Sequence, residues 1–166
     1  MTTHHDRDAL LAEAVALRSA DRTEEARVRL LALGERFPDD AEIAYQTAWA
    51  HDRLGLEAAA VPFYESALAG TLTPEDRRGA LLGLGSTYRT LGRYEDAVRT
   101  LRTGAREFPE HGALRAFLAM ALFNTGEAHD GMRILLRLLT ETSTDASVRN
   151  YREAIEYYAK DLTAVE

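Results

Sequence analysis

The chain has 166 residues, of which 46% are hydrophobic and 28% charged, a balance typical of one globular domain with a substantial core. It contains no cysteine, which excludes disulfides and thiolate-bound zinc. A net charge of −7 argues against nucleic-acid binding, because Lys and Arg must neutralise phosphates to give most of that affinity.

Two further features of the composition concern location and source. No run of 18 apolar residues occurs, and the first ten residues, MTTHHDRDAL, lack the apolar stretch of a signal peptide. We therefore expect a cytoplasmic protein with no membrane association. Arg provides all but one of the 20 basic residues, the exception being Lys160, and Ala is abundant. This bias is typical of GC-rich genomes and points to a bacterial source.

The first half of the chain reads as a flexible start followed by two helix pairs. Residues 1–6 are polar and expected to be flexible. Helical periodicity begins at Arg7, and the first pair extends over 7–40, with Thr23 as the predicted N-cap of its second helix. The second pair covers 41–77. Three extra residues near its end stretch the repeat period from 34 to 37, and Thr73-Pro74 predicts an early helix start there.

The third pair, 78–111, has the clearest pattern. Gly92 separates its two helices and Pro109 closes the unit. Gly85 lies within the first helix, where it costs about 1 kcal/mol relative to Ala, so we expect the second helix to approach closely there, with Ala97 facing it. The apolar faces of the two helices contain Leu81, Leu84, Tyr88, Leu91, Tyr94, Ala97, Leu101 and Phe108.

The fourth pair, 112–145, returns to the 34-residue period, and 146–166 forms a capping helix and tail. The cap is expected as one amphipathic helix from Ala146 to about Leu162. Its aromatic residues could cover the fourth pair or serve as a dimer contact. The apolar positions of the cap are Val148, Tyr151, Ile155, Tyr158 and Leu162.

The third unit resembles the tetratricopeptide repeat. Leu81 stands where that repeat usually has Trp, Leu84-Gly85 match its Leu-Gly pair, and Tyr88 matches its aromatic position; Ala97 and Gly104 match its small contact residues and Pro109 its terminal Pro. The whole chain is similar to small bacterial proteins of this family. The resemblance implies an all-α fold, a right-handed superhelical solenoid of four helix pairs plus a C-terminal capping helix. It also implies a concave groove lined by the first helix of each pair.

The groove positions predict a partner-binding surface that is aromatic, Met-containing and basic. Exposed aromatic and Arg side chains dominate binding energy at interfaces. Alternatively, the aromatic residues pack between neighbouring helices. The predicted groove residues are Tyr45, Trp49, Arg53, Leu82, Ser86, Arg89, Met120, Phe123, Asn124 and Tyr157.

The sequence offers no candidate catalytic or metal site. His4 and His5 stand beside Asp6 and Asp8, but a frayed terminus lacks the fixed geometry of a metal site. His51 and Asp52 are adjacent and therefore splay apart on a helix. No phosphate-binding loop or HExxH motif occurs. We expect no enzyme activity, no cofactor and no bound metal.

The sequence thus favours a non-catalytic scaffold or adaptor that binds a peptide or helical segment of another protein in its groove. The alternative is a sensor domain for a small ligand or signalling peptide. RNA reading is opposed by the charge, and open-ended self-stacking by the amphipathic last helix. The partner is expected to be a protein or peptide, neither nucleic acid nor membrane, and the chain a monomer or weak homodimer.

Overall fold

The computed structural model describes the backbone of residues 2–163 and the side chains of residues 6–163. Within this range the fold is entirely helical, with no strand. The helices are α1 (Thr2–Ser19), α2 (Thr23–Arg36), α3 (Ala41–Arg53), α4 (Glu57–Ala69), α5 (Pro74–Thr90), α6 (Tyr94–Glu107), α7 (Gly112–Asn124), α8 (Ala128–Thr142), α9 (Ala146–Asn150) and α10 (Arg152–Tyr158).

The first eight helices form four pairs stacked in chain order. Within each pair the two helices pack on each other, and the second helix of a pair packs on the first helix of the next pair. The first helices α1, α3, α5 and α7 also contact one another in sequence, so they form one continuous row. This arrangement is a solenoid, and it confirms the predicted stack of helix pairs.

The turn inside each pair fixes the repeat register. Gly55, Gly92 and Gly126 have φ values of 71°, 75° and 85°, and Asp21 occupies the same position in the first pair with φ 61°. Their spacing reproduces the 34, 37 and 34 residues read from the sequence. The insertion lengthens α5, because Thr73 caps it by accepting a hydrogen bond from the Asp76 backbone N–H at 3.1 Å. The early start at Thr73-Pro74 is confirmed.

Small residues let neighbouring helices approach. A methyl group added at Gly85 would overlap the Leu101 side chain, so the close approach expected there is real, but Leu101 fills the space and not Ala97. A Cβ at Gly104 would lie 2.6 Å from Cδ2 of Leu114 in the next pair. Leu101 and Leu114 are fully buried in the central core. The packing is thus large-into-small both within and between pairs.

An ionic link joins the first pair to the second. Arg7 Nε and Nη2 donate to Asp40 Oδ2 and Oδ1 at 2.9 and 2.8 Å, and Asp40 Oδ1 also caps α3 by accepting from the Ile43 N–H. Burial would raise the pKa of Asp40, but these hydrogen bonds outweigh it and lower the pKa. The bidentate pair therefore orients α1 on the N-terminus of α3.

At the N-terminal end the structure differs from two expectations. The helix start predicted at Arg7 is wrong, because α1 begins at Thr2. The His4 and His5 side chains lie outside the described residues, and the flexibility of 1–6 stays a prediction. Thr23 is not the N-cap of α2: Arg22 holds that position without a side-chain bond, while Thr23 is the buried first residue of the helix.

The prediction of a single capping helix is also wrong. Tyr151 leaves helical geometry (φ −99°, ψ 11°) and divides the segment into α9 and α10. Tyr151 and Tyr158 are mostly exposed, so they do not cover the fourth pair. The fourth pair also differs from the third at one small position, because Leu138 of α8 stands where the third pair has Gly104, and it packs on Gly112 of α7.

The turn positions give a matched stability test. Gly92→Ala forces a Cβ into left-handed geometry and should lower the free energy of unfolding by about 1 kcal/mol, although the site has free space. Asp21→Gly relieves the same strain in the first pair and should change stability little or raise it. Urea unfolding measures both. Equal destabilisation by the two substitutions would contradict the assigned register.

Candidate functional site

The row of first helices carries all the predicted groove residues except Tyr157, and side chains in its N-terminal half mostly contact other parts of the protein. Tyr45 is half-buried against the central core, with its ring 6.4 Å from that of Tyr64 and its hydroxyl over Gly79 of α5. A side chain at Gly79 would overlap that hydroxyl. Leu82 also packs against the core and Ser86 is half-buried. These positions mainly join α3 to α5.

Two guanidinium groups lie close to the ring of Trp49. Arg18 from α1 lies 4.1 Å from the indole centroid, and Arg53 lies 5.7 Å from it. Arg18 also donates to the Gln46 side chain, and burial lowers its pKa. Arg53 is exposed, with Asp21 3.9 Å away. Cation–π stacking therefore covers Trp49 with Arg18, a contact between distant parts of the chain that the local pattern did not reveal.

A half-buried carboxylate joins three helices beneath the groove. Asp52 of α3 accepts hydrogen bonds from the Tyr64 hydroxyl at 3.2 Å and the Thr87 hydroxyl at 3.0 Å. Burial raises the pKa of Asp52, and the two hydroxyl donors offset only part of this shift. Burial likewise raises the pKa of Tyr64. No Lys or Arg pairs with Asp52 among the described residues, so its bonds are those of a structural link.

The C-terminal half of the groove is open. Phe123 is 70% exposed and Met120 37% exposed on α7. Arg89 reaches across from α5, with Nη1 3.5 Å from Asn124 Oδ1, while its Nε is buried without a hydrogen-bond partner in the described chain. These four residues line one apolar cavity of about 450 Å³. The structure therefore brings together Arg89, Met120, Phe123 and Asn124 of the predicted set.

The same cavity has a second wall that sequence reasoning missed. Ala128, Met132 and Leu135 of α8 complete it. The sequence does mark these two residues as apolar repeat positions, because Met132 and Leu135 follow Val98 and Leu101 by one 34-residue period. The period alone does not show that they are exposed, because their exposure depends on whether a further helix pair covers them, and none does within the described chain.

Tyr157 is placed apart from the other predicted residues. It lies on α10, edge-on to Tyr158 with ring centroids 5.3 Å apart. Within residues 2–163, α10 contacts α8 and α9 but not α7. Tyr157 therefore does not extend the row that carries Met120 and Phe123.

A separate cleft lies between α2, α3 and α4. It has a volume of about 500 Å³ and is lined mainly by apolar side chains, including Leu30, Phe37, Ile43 and Phe63. Asp40 at its edge is already bonded to Arg7. The buried side-chain atoms without a partner in the described chain are Arg89 Nε, His111 Nδ1 and Arg115 Nε, and none of these residues lines the cleft.

The remaining chemistry is sparse. Among the side chains described, no group of three His, Cys, Asp or Glu residues could hold a metal ion. His51 is buried, stacked on Phe63 at 5.1 Å, with Nδ1 2.8 Å from the Thr47 carbonyl oxygen. A search of the described helices for one of sufficient length and apolarity to cross a membrane finds none.

Stacked helix pairs with a row of first helices define the class of helical repeat scaffolds. Models of the tetratricopeptide repeat match residues 8–40 and 41–162, and together they span nearly the whole chain. The chain belongs to the tetratricopeptide repeat family. This fold generally mediates protein–protein interaction, and its members are generally non-catalytic scaffolds.

Solved structures agree on the fold. MamA from Desulfovibrio magneticus RS-1 matches with a TM-score of 0.73 and 15% identity, covering 84% of this chain and 78% of its own. YrrB, described as a protein with an unusual peptide-binding site, matches with a TM-score of 0.73 and 18% identity, and the match covers 93% of this chain and 77% of YrrB. PilF from Pseudomonas aeruginosa matches with a TM-score of 0.69 and 19% identity, and the match covers 98% of this chain and 77% of PilF. A sequence search of curated proteins returns no match.

Asp52 predicts a pH-dependent difference between the wild type and Asp52→Asn. Because the folded-state pKa of Asp52 lies above its unfolded value, ionisation costs stability at neutral pH, and that cost disappears as pH falls through the folded pKa. The wild type should therefore gain stability relative to Asp52→Asn between about pH 7 and pH 4. Urea unfolding of both proteins measures this. If the difference in unfolding free energy between the two proteins stays constant with pH or changes in the opposite direction, the raised pKa of Asp52 is contradicted.

Proposed function

We propose that the chain is a non-catalytic scaffold that binds a peptide or helical segment of another protein at the C-terminal half of its groove. The observation that carries this proposal is Phe123, which is 70% exposed at the edge of an apolar cavity beside Met120 and Arg89. A large aromatic side chain held in water by a rigid helix is typical of a partner site.

The energetics favour an apolar anchor on the partner. Covering the exposed faces of Phe123, Met120, Met132 and Leu135 removes apolar surface from water, and each full side-chain burial is worth about 1.5–3 kcal/mol. Because these residues lie on α7 and α8, they are held in place without the partner. Binding therefore requires little ordering of the scaffold.

The electrostatics favour an acidic group beside that anchor. Among the described residues, Arg89 has a buried Nε with no partner, and the cavity lining contains no Asp or Glu. A carboxylate from the partner would satisfy Arg89 with a charge-assisted hydrogen bond. By contrast, Tyr45 and Leu82 already use their apolar surface inside the stack. We therefore place most binding energy at the C-terminal half and assign Trp49, Arg53 and Ser86 to the rim.

The small-ligand alternative has weaker support. The α2–α4 cleft is large enough for a small molecule, but the described residues place no unpartnered buried polar atom there to orient one. The cavity at Phe123 offers both apolar surface and an unpaired donor. The scaffold hypothesis therefore explains more of the observed chemistry.

Comparative capture tests the proposal. Wild type, Phe123→Ser and Arg89→Gln are immobilised and exposed to extract of the source organism, with quantitative mass spectrometry as the readout. We expect the amount of one or more proteins retained by the wild type to fall at least tenfold with both variants. Phe123→Ser removes the apolar contact, and Arg89→Gln removes the positive charge.

Val28→Ser on α2 is the matched control, since Val28 is also an exposed apolar helix residue but lies outside the groove. It should retain the same proteins as the wild type. Identical profiles for all four proteins would contradict the proposed function, provided that circular dichroism shows them equally folded.

A further inference from the structure

Within residues 2–163, α7 and α8 end in an apolar face that no further helix covers. We define this end face as Phe123 of α7 together with Met132, Leu135 and Leu139 of α8. Met132 and Leu135 are 47% and 40% exposed, and Leu139 is exposed to a similar degree. Three of these residues recur at helical spacing on α8, so they form one stripe.

The earlier repeats show what such a stripe normally packs against. Val98 and Leu101, one period before Met132 and Leu135, are only 6% and 0% exposed because α7 lies over α6. Another period earlier, Tyr64 is equally buried where α5 lies over α4. The surface that complements this stripe is therefore the apolar face of one amphipathic helix, and the molecule contains examples of it.

The chain's own C-terminal segment does not supply that helix. Positions equivalent to the core residues Leu118 and Leu122 of α7 are Arg152 and Glu156, which pair with each other at 2.8 Å. Glu156 also faces Thr140 near the end of α8. α10 thus contacts α8, with Glu156 beside Thr140, and within the described chain it leaves α7 uncontacted.

The first helix of a second copy is also a poor match. The position of α1 equivalent to the core residue Leu118 of α7 is Glu13, which is exposed and paired with Arg29 at 3.0 Å. The position equivalent to Leu114 is Ala9, which offers a single methyl group to the stripe. Head-to-tail stacking would therefore press a carboxylate against apolar side chains. The desolvation cost opposes it, because the stripe residues carry no charge to neutralise the acid.

The positive charge of Arg89 lies at the edge of the end face. Arg89 shares one cavity with Phe123, Met132 and Leu135, and its buried Nε has no partner in the described chain. Of the residues that line this cavity in the described part of the chain, none is acidic. An occupant with an acidic side chain beside its apolar stripe therefore fits both features at once.

We infer that the end face binds one amphipathic helix of a partner protein, which continues the stack in trans and presents an acidic side chain to Arg89. This inference rests on the proposed function and names the form that the bound segment takes. The helix lies over α7 and α8 as α7 lies over α5 and α6. Its apolar residues contact Met132 and Leu135, and its carboxylate accepts from Arg89.

The test uses a phage-displayed library of amphipathic helical peptides, selected on the full chain. We expect enriched sequences to carry apolar residues at i, i+3 or i+4, and i+7, together with one acid. Fluorescence anisotropy with synthetic copies should show a Kd raised at least tenfold by Leu135→Asn and unchanged by Val28→Asn. Replacing the peptide acid by its amide should weaken binding to the wild type but not to Arg89→Gln.

Each other outcome has a defined meaning. Peptides that need Phe123 and Arg89 but tolerate Leu135→Asn would overturn the helix inference and leave the proposed function intact. A selection without enrichment would overturn the inference, while the capture experiment decides the proposed function separately. Sedimentation that shows a wild-type dimer lost in Leu135→Asn would also overturn it, because the occupant would then be a second copy.

Discussion

In the described chain, the second helix of each of the first three pairs presents an apolar stripe, which the first helix of the next pair covers. Leu101 and Tyr64 reach nearly complete burial in this way, beneath α7 and α5. The stack is therefore stabilised by contacts between neighbouring repeats, as expected for a solenoid. The same constraint creates a surface at the C-terminal end of the described stack, where the stripe continues and the covering helix does not.

The repeat register depends on a few local features. Left-handed turns at Asp21, Gly55, Gly92 and Gly126 set the pair geometry, and the Arg7–Asp40 pair orients the first helix on the second pair. Their effect on function is indirect. The turns at Gly92 and Gly126 join the helices of the third and fourth pairs, which place Arg89, Phe123 and Leu135 around one cavity. Preorganised surfaces of this kind bind with little entropic cost.

Local periodicity predicted the helix pairs, and the resemblance to the tetratricopeptide repeat predicted how they stack. The four pairs, the 34, 37 and 34-residue spacing and the early start at Thr73 all follow from glycine, proline and apolar positions, because these encode helix ends and buried faces directly. The cap could not be predicted in this way. Its apolar spacing is helical throughout, but the backbone leaves helical geometry at Tyr151, and apolar spacing does not encode that break.

The candidate site was predicted only in part for the same reason. Spacing placed Arg89, Met120, Phe123 and Asn124 on one row correctly, but it could not show that Arg18 stacks on Trp49 or that Tyr45 lies over Gly79. Met132 and Leu135 are apolar and stand at repeat positions that are buried in the third pair. Their exposure depends on whether a further helix covers them, which no single position reports.

Methionine methyl NMR tests the central claim most directly, because Met120 and Met132 lie on the two walls of the cavity. A Val28→Met background adds a reporter on α2. Titration with a library-selected helical peptide should shift the Met120 and Met132 methyl signals together and leave the Val28→Met signal unchanged. Saturable binding that leaves the Met132 signal in place would contradict the account of an open end that accepts a helix.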